Sequence, residues 1–255
     1  MFLAIIQARM TSTRLPGKVM KQVLGKPIIG YLLERLSQSH KIDKIILATT
    51  TNPEDNVLSE FVESEGYPVF RGSENDVLER YYLAAEWLKT DHIVRITGDC
   101  PCIDPFICDR LVDEFIKQNA DYATLSPQYP EGTDCEIFTF KLLKDAYRYA
   151  KLDSEREHVS LYFKNNRDIY NNIILDSITD DSRYRFTVDQ KEDFIVIRSI
   201  IEALYKNGTP IFTLQDIKAY LDINPDVFNL NKHITRNEGL LKSLRNDSLT
   251  KESFS

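Results

Sequence analysis

The chain has 255 residues, enough for one large α/β domain with a full core or for two small domains. Its 42% hydrophobic and 28% charged content is typical of a soluble globular protein. A net charge of -7 gives no general attraction for nucleic acid or an anionic membrane, so any anion site must be local. No apolar run reaches membrane-spanning length, and residues 2–6 are too short for a signal-peptide core, which predicts a cytoplasmic protein.

The first eighteen residues predict an anion-binding loop. The apolar run Phe2–Ile6 predicts a buried strand, and the segment after it carries Arg9, Arg14 and Lys18 among small residues. Ligands of open α/β sheets bind outside the carboxyl ends of the strands, where backbone N–H groups and cations can approach a phosphate. The alternative is an ordinary loop with solvated charges. The segment is not a Walker A motif, because Val19 follows Lys18 where Ser or Thr is required.

The first 120 residues alternate between predicted strands and predicted helices. The strands are predicted at residues 2–6, 44–49, 68–70 and 92–97. The helices are predicted to begin near Pro27, Asn52, Ser73 and Asp104, since each position offers a cap or a first-turn proline. Four such alternations predict a single doubly wound, mostly parallel sheet.

The second half of the chain predicts a less regular insertion. Strands are predicted at residues 121–126, 135–140, 169–175 and 184–188. Helices are predicted over residues 142–150, after a capping box at 154–157, from about Glu192 to Lys206 with a stop at Gly208, and over 213–221. The last fifteen residues are polar and predict a weakly ordered tail, so we expect a domain at 1–240 and a tail at 241–255.

Two carboxylates follow predicted buried strands directly. Asp99 comes after the strand at 92–97, and Asp189 comes after the strand at 184–188. Mg²⁺ is usually bound through one or two carboxylates together with substrate phosphates, so this pair facing a cationic loop indicates a metal–phosphate site. The alternative is that both residues merely cap the helices that follow, and the spacing leaves the two interpretations equally open.

Several segments of the chain resemble motifs of the sugar cytidylyltransferases. Residues 5–36 (IIQARMTSTRLPGK and the following helix) are similar to the opening signature of these enzymes, which include the CMP-KDO and CMP-sialate synthetases. Other segments are similar to the spore-coat polysaccharide branch: 71–81, 94–105, 131–138, 156–159, 184–194 and 231–239. The resemblance therefore extends over nearly the whole chain.

The resemblance implies a nucleotide-diphospho-sugar transferase fold and an enzyme that joins CTP to a sugar, releasing pyrophosphate. It implies a homodimer, CTP in preference to UTP and purines, and Mg²⁺ held by Asp99 and Asp189. The catalytic residues that it implies are Arg9, Lys18 and Asp99. The implied or candidate nucleotide contacts are the backbone at Ala8 and the side chains of Arg9, Arg14, Lys18, Arg71 and Arg80.

The acceptor sugar is less well defined, because the acceptor motifs of the CMP-KDO and CMP-sialate enzymes are not clearly present. Candidate acceptor contacts are Asp134, Glu136, Arg156 and His158. Two alternatives remain: a sugar-1-phosphate nucleotidyltransferase that uses another nucleotide, and a glycosyltransferase that consumes a nucleotide sugar. Glycosyltransferases of related fold usually bind metal through Asp-x-Asp, whereas Asp99 is followed by Cys100 and Pro101.

Overall fold

The computed structural model describes residues 1–206 and 212–253 of the chain. The strands are β1 (Phe2–Gln7), β2 (Gln22–Val23), β3 (Lys26–Pro27), β4 (Lys44–Thr50), β5 (Val69–Gly72), β6 (His92–Thr97), β7 (Tyr122–Leu125), β8 (Glu136–Thr139) and β9 (Asn172–Leu175). The α-helices are α1 (Ile28–Leu36), α2 (Asn56–Ser64), α3 (Val77–Trp87), α4 (Pro105–Lys117), α5 (Phe140–Tyr149), α6 (Asp153–Glu157), α7 (Leu161–Asn165), α8 (Lys191–Leu204), α9 (Leu214–Ile223), α10 (Pro225–Phe228) and α11 (Glu238–Ser253).

A seven-stranded sheet forms the centre of the molecule, in the order β5-β4-β1-β6-β8-β7-β9. Strands β5, β4, β1 and β6 are parallel, β8 is antiparallel to both of its neighbours, and β9 is parallel to β7. The central strand β1 is fully buried from Leu3 to Ile6, as a continuous apolar run in a parallel sheet should be. The predicted mostly parallel sheet is confirmed.

Helices cover both faces of this sheet. On one face α1, α2 and α4 pack against Ala4 and Ile6, and on the other α3, α5 and α7 pack against Leu3 and Ile5. The division follows from the strand itself, because successive side chains point to opposite faces. A further apolar cluster joins α8 and α9 to Tyr31 of α1, so the later helices extend the layer beside the first one.

One predicted strand is wrong. Residues 184–188 form no strand in the structure. Arg185 pairs with Glu131 in a single isolated bridge, and the Val188 N–H donates to the Asp99 carbonyl at 2.8 Å. The apolar alternation that suggested a strand arises because this segment packs into the cluster around α8 and α9.

Other predicted boundaries shift by a few residues. The strand predicted from residue 169 begins at Asn172, after a 3₁₀ turn over Arg167–Ile169. Asp76, and not Ser73, caps α3, because its carboxylate accepts a backbone N–H of the first helical turn. The predicted stop at Gly208 lies outside the described residues.

Residues 241–253 of the polar end of the chain are helical, whereas the sequence predicts a weakly ordered tail there. Helix α11 is bound to the rest of the protein through polar side chains. Ser243 Oγ donates to Glu157 at 2.7 Å and pairs with the His158 ring at 3.0 Å. Contacts of this kind leave no hydrophobic pattern in the sequence. The division between a domain at 1–240 and a tail at 241–255 stays a prediction.

None of the helices within residues 1–206 and 212–253 combines the length and apolarity that crossing a membrane requires.

Candidate active site

A cleft of about 860 Å³ lies at the carboxyl ends of β1 and β6. Gln7 and Thr97, the last residues of these strands, form part of its lining. The opposite wall is made by α11, with residues from Glu238 to Asn246. The site predicted at the strand ends therefore lies in a cavity of the size that small-molecule sites usually have.

Two glycines allow the loops of the cleft to approach each other. Gly17 has a φ of 66°, and its N–H donates to the Met10 carbonyl at 2.9 Å, which closes the loop just before Lys18. A Cβ on Gly98 would lie 2.6 Å from the Ala8 Cβ, so the loop after β6 can reach the end of β1 only with glycine here. Together the two glycines bring the loops face to face.

The Lys18 ammonium lies between two carboxylates. Its Nζ is 2.5 Å from Asp99 Oδ2 and 2.8 Å from Asp189 Oδ1, and its side chain is only 11% exposed. Burial alone would raise the pKa of the Asp99 carboxyl, but the neighbouring ammonium outweighs it and lowers that pKa. Attraction by the two carboxylates likewise outweighs burial at Lys18 and raises its pKa. Lys18 and Asp99 are therefore both charged at neutral pH.

The two carboxylates do not act as helix caps. Helix α4 is capped by Asp104, whose Oδ1 accepts the Phe106 N–H at 3.0 Å. At the start of α8 the Gln190 N–H is bound at 2.9 Å by Asp193. Asp99 and Asp189 are thus free to face the cleft, and the capping alternative is not supported.

Arg14 extends this charge arrangement toward α11. Its guanidinium lies 2.7 Å from Asp189 Oδ1 and 2.7 Å from Glu238 Oε2. Five side chains therefore form a row of alternating charge across the cleft, in the order Glu238, Arg14, Asp189, Lys18, Asp99. Such a row can exchange its internal partners for the charges of a substrate.

A buried ion network on the side away from Lys18 holds Asp189 in place, and the sequence patterns did not predict it. Arg185 lies 2.8 Å from Asp193, 3.3 Å from Asp189 Oδ2, and also pairs with Glu131. Asp193 in turn accepts the backbone N–H of Asp189 at 3.0 Å. The sequence signal was the spacing Gln190-x-x-Asp193, a capping pattern that marks the start of a helix but not a charge network.

Arg9 lies where the cleft meets a second cavity of about 430 Å³, here called the side cavity. Gln7, Arg9 and Glu157 line both cavities. Arg9 NH1 lies 3.0 Å from Glu74, which also accepts from Thr11 Oγ1 at 2.7 Å. Glu74, another residue that the sequence analysis missed, is thus the counter-ion that fixes Arg9 at the junction.

Two arginines predicted as nucleotide contacts line neither of these cavities. Arg71 donates to the carbonyls of Thr50 and Asn52 at 2.8 and 2.7 Å, which ties down the loop after β4. Arg80 is 1% exposed and donates to the Ser73 carbonyl at 2.5 Å. Both are placed to hold loops in position.

Two of the candidate acceptor contacts also lie outside both cavities. Asp134 accepts the Gly132 N–H at 2.9 Å within its own loop. Glu136 is 5% exposed and lies 2.6 Å from Arg95 and 2.8 Å from Lys164. Burial would raise the pKa of Glu136, but these two cations outweigh it and hold that pKa well below its usual range.

The other two candidates lie at the cavities. His158 lines the cleft, and burial holds the pKa of its imidazole below the usual value. Arg156 lines the side cavity, where its guanidinium pairs with Asp76 and its Nε donates to that carboxylate at 2.9 Å. Glu157, part of the predicted capping box at 154–157, lines both cavities, while Glu155 makes the helix-start contacts instead.

The same geometry bears on metal binding. Within the described residues, no group of three or more His, Cys, Asp or Glu side chains is arranged to hold a metal ion. Asp99 and Asp189 nevertheless reach one cation from two sides, since both contact the Lys18 ammonium. Two carboxylates supplemented by phosphate oxygens and water match the ligands that Mg²⁺ prefers.

Comparison with known proteins supports the resemblance drawn from the motifs. Residues 3–212 match the family described as Cytidylyltransferase. The chain is 35% identical to the spore coat polysaccharide biosynthesis protein SpsF of Bacillus subtilis over 233 residues, which cover 88% of this chain and 95% of that one. It is 32% identical to the 3-deoxy-manno-octulosonate cytidylyltransferase of Aeromonas salmonicida over 171 residues, which cover 64% and 61%.

A solved structure is similar over almost its full length. It is a cytidylyltransferase from Leptospira borgpetersenii, 35% identical to this chain, with a TM-score of 0.85. The match covers 92% of this chain and 98% of that one. The predicted family resemblance and the predicted fold class are both confirmed.

Proposed function

Because the chain belongs to the cytidylyltransferase family, we propose that it couples CTP to an acidic sugar, giving a CMP-sugar for surface polysaccharide. The observation that carries this proposal is the convergence of three cations and two carboxylates in one cleft. The names of two relatives support the substrate class, one a spore coat polysaccharide protein and the other a 3-deoxy-manno-octulosonate cytidylyltransferase. Sugar-1-phosphate nucleotidyltransferases and glycosyltransferases are not favoured by these matches.

The proposed reaction is a displacement at phosphorus. A hydroxyl oxygen of the sugar attacks the α-phosphorus of CTP and forms the new O–P bond. The bond from that phosphorus to the bridging oxygen breaks, pyrophosphate leaves with the electron pair, and the hydroxyl proton passes to solvent. Little covalent chemistry is asked of the protein, so positioning and charge neutralisation dominate. Arg9 and Arg14 line the cleft and would supply part of that positive charge.

Lys18 has the most direct role in this proposal. In the structure its ammonium pairs with both Asp99 and Asp189. A bound triphosphate carries more negative charge than these carboxylates and would compete with them for the Lys18 ammonium. Mg²⁺ held by these two carboxylates would neutralise phosphate oxygens of the substrate. Lys18 is then free to donate to the departing pyrophosphate, while Arg185 keeps Asp189 in place.

The acceptor is proposed to bind between the loops and α11. His158 is kept neutral at neutral pH by the burial that lowers its pKa, so its ring can accept or donate a hydrogen bond to a sugar hydroxyl. Lys242 and Arg245 line the same cleft from exposed positions on α11. Cations at this wall suit a sugar that carries a carboxylate.

A homodimer is proposed from the resemblance, and the cytoplasmic location stays a prediction from the sequence composition. The molar mass in solution, measured by light scattering at micromolar concentration, tests the dimer. A monomer mass would contradict it.

The proposed activity is tested by pyrophosphate release. The protein is incubated with Mg²⁺, each of the four nucleoside triphosphates, and either 3-deoxy-manno-octulosonate, other sugar acids or glucose 1-phosphate. We expect release with CTP and a sugar acid. Release that requires glucose 1-phosphate, or a nucleotide other than CTP, would overturn the assignment. A Lys18→Met variant controls for contaminating activity.

A further inference from the structure

Gln7 carries a polar atom that the fold leaves without a partner. Its Oε1 is buried and accepts no hydrogen bond from the described residues. Buried side-chain polar atoms normally have partners, and each exception requires an explanation. Gln7 also lines both the cleft and the side cavity. A ligand group that donates a hydrogen bond in one of these cavities would satisfy the oxygen.

The backbone of Gln7 is rigidly placed. As the last residue of β1 it is paired with Ala48 of β4 on one side and Thr97 of β6 on the other. Its carbonyl accepts the Gly98 N–H at 2.8 Å. The backbone of Gln7 is therefore held at the centre of the sheet, and a side chain that starts from a fixed point can discriminate between ligands that differ by one group.

The charges of the side cavity indicate what it can accept. Its lining includes the carboxylates of Glu74, Asp153 and Glu157. Its two arginines, Arg9 and Arg156, already pair with acidic residues. A cavity so rich in hydrogen-bond acceptors favours a neutral group that donates N–H or O–H, and disfavours a phosphate or a sugar carboxylate.

We propose that the side cavity receives the nucleobase, and that Gln7 Oε1 accepts a hydrogen bond from the exocyclic amine of cytosine. The inference rests on the proposed use of CTP. Uracil carries a carbonyl at that position, so two acceptors would face each other and the oxygen would stay unpaired. Arg9 lines both cavities, so the nucleoside would lie in the side cavity and the triphosphate in the cleft, with Arg9 between them.

In this proposal the Gln7 side chain selects the nucleobase. The resemblance by itself implies only that the backbone around Ala8 faces the pyrimidine. An unpaired buried acceptor costs about 1–3 kcal/mol, which corresponds to roughly five- to 150-fold discrimination. That is the margin by which Gln7 is expected to favour CTP over UTP.

The test is a calorimetric titration of CTP and UTP, each with Mg²⁺, into the wild type and three variants. Gln7→Met keeps the length of the side chain and removes the acceptor. Gln7→Glu keeps an acceptor oxygen and removes the amide donor, so it distinguishes the two ends of the amide. Gln118→Met is the matched control, because Gln118 is exposed at the end of α4 and its side-chain amide donates to Glu114 at 2.9 Å.

We expect the wild type, Gln118→Met and Gln7→Glu to prefer CTP, and Gln7→Met to lose about fivefold or more of that preference through weaker CTP binding. A preference that survives in Gln7→Met would overturn the inference and leave the proposed function intact. Equal loss of both nucleotides in a folded Gln7→Met would overturn it too, as would loss of the preference in Gln7→Glu. If Gln7→Met fails to fold, the Gln7→Glu ratio decides. Absence of any CTP preference in the wild type would instead contradict the proposed function itself.

Discussion

The two halves of the molecule position their charged groups in different ways. In residues 1–117 each group lies just beyond a strand of the sheet, as Arg9 does after β1 and Asp99 does after β6. In residues 118–253 Asp189 follows no strand, and its position is fixed by Arg185 and Asp193. The first arrangement is as stable as the sheet, whereas the second depends on the ion pairs that form it. The two arrangements should therefore fail differently when they are mutated.

Replacement of Arg185 by Met is expected to have the largest effect. It leaves Glu131 and Asp193 buried without their counter-ion, and such a broken pair costs about 3–5 kcal/mol of unfolding free energy. Urea denaturation measures the loss. Arg183→Met is the control, because the pair of Arg183 with Asp222 is exposed to solvent and such surface pairs contribute little to stability. Similar losses of unfolding free energy in both variants would show that the ion pairs of Arg185 do not stabilise the second half of the molecule.

Replacement of Asp99 by Asn tests the first half of the molecule. The variant is expected to fold normally and to lose most of its activity. The amide keeps the shape of the carboxylate but removes its charge from the site of Lys18. We expect a loss of about 10²–10³ in the rate of pyrophosphate release at saturating CTP and Mg²⁺, with little change in melting temperature. Asp113→Asn, at an exposed residue of α4, is the matched control. A rate within about threefold of the wild type would count against the proposed role.

Arg71→Met separates a structural role from nucleotide binding. Its guanidinium bonds two carbonyls and the Asn56 side chain, so we expect a loss of about 1–3 kcal/mol in unfolding free energy. The dissociation constant for CTP should change by no more than about twofold, since Arg71 lines neither cavity. A CTP affinity about tenfold weaker, measured by calorimetry, would show that Arg71 contributes to nucleotide binding, as the sequence suggested.

Glu238→Gln is expected to have the smallest effect. It frees the Arg14 guanidinium from one of its two partners and removes a negative charge from the cleft. Because this pair is partly exposed, the gain is limited to about 0–1 kcal/mol, or up to roughly fivefold tighter CTP binding. Glu60→Gln makes the same charge change on α2, at an exposed residue that lines neither cavity. The gain should shrink as salt is added, and a gain equal to that of Glu60→Gln would mean that only net charge matters.

The sequence predicted the first half well because its determinants are local. The apolar run of β1, the cationic loop and the short distance from β6 to Asp99 all lie within a few residues of one another. Each is a direct consequence of the order in which strand, loop and helix occur. The structure brings Arg9, Arg14, Lys18 and Asp99 to one cleft, as those patterns predicted.

The second half could not be predicted in the same way. Asp189 meets Lys18 from 171 positions away, and the spacing left its role open between metal binding and helix capping until the resemblance assigned it to the metal site. The pairing of Arg185 with Asp193 depends on the path of the chain from residue 184 onward. The alternating apolar residues at 184–188 predicted a strand there, and none forms. Helix α11 is bound by polar contacts such as that of Ser243, so its polar sequence suggested a tail. Periodicity detects burial of apolar surface and is silent about ion pairs between distant segments.

The position of Lys18 means that the protein carries an internal counter-ion. The ammonium already neutralises Asp99 and Asp189, so these carboxylates do not repel each other when no divalent cation is bound. Folding of the chain is thereby uncoupled from metal supply, unlike that of proteins whose ligand clusters need a metal to fold. If Mg²⁺ binds at Asp99 and Asp189 as proposed, the magnesium supply would change the rate of turnover and leave the amount of folded protein unchanged.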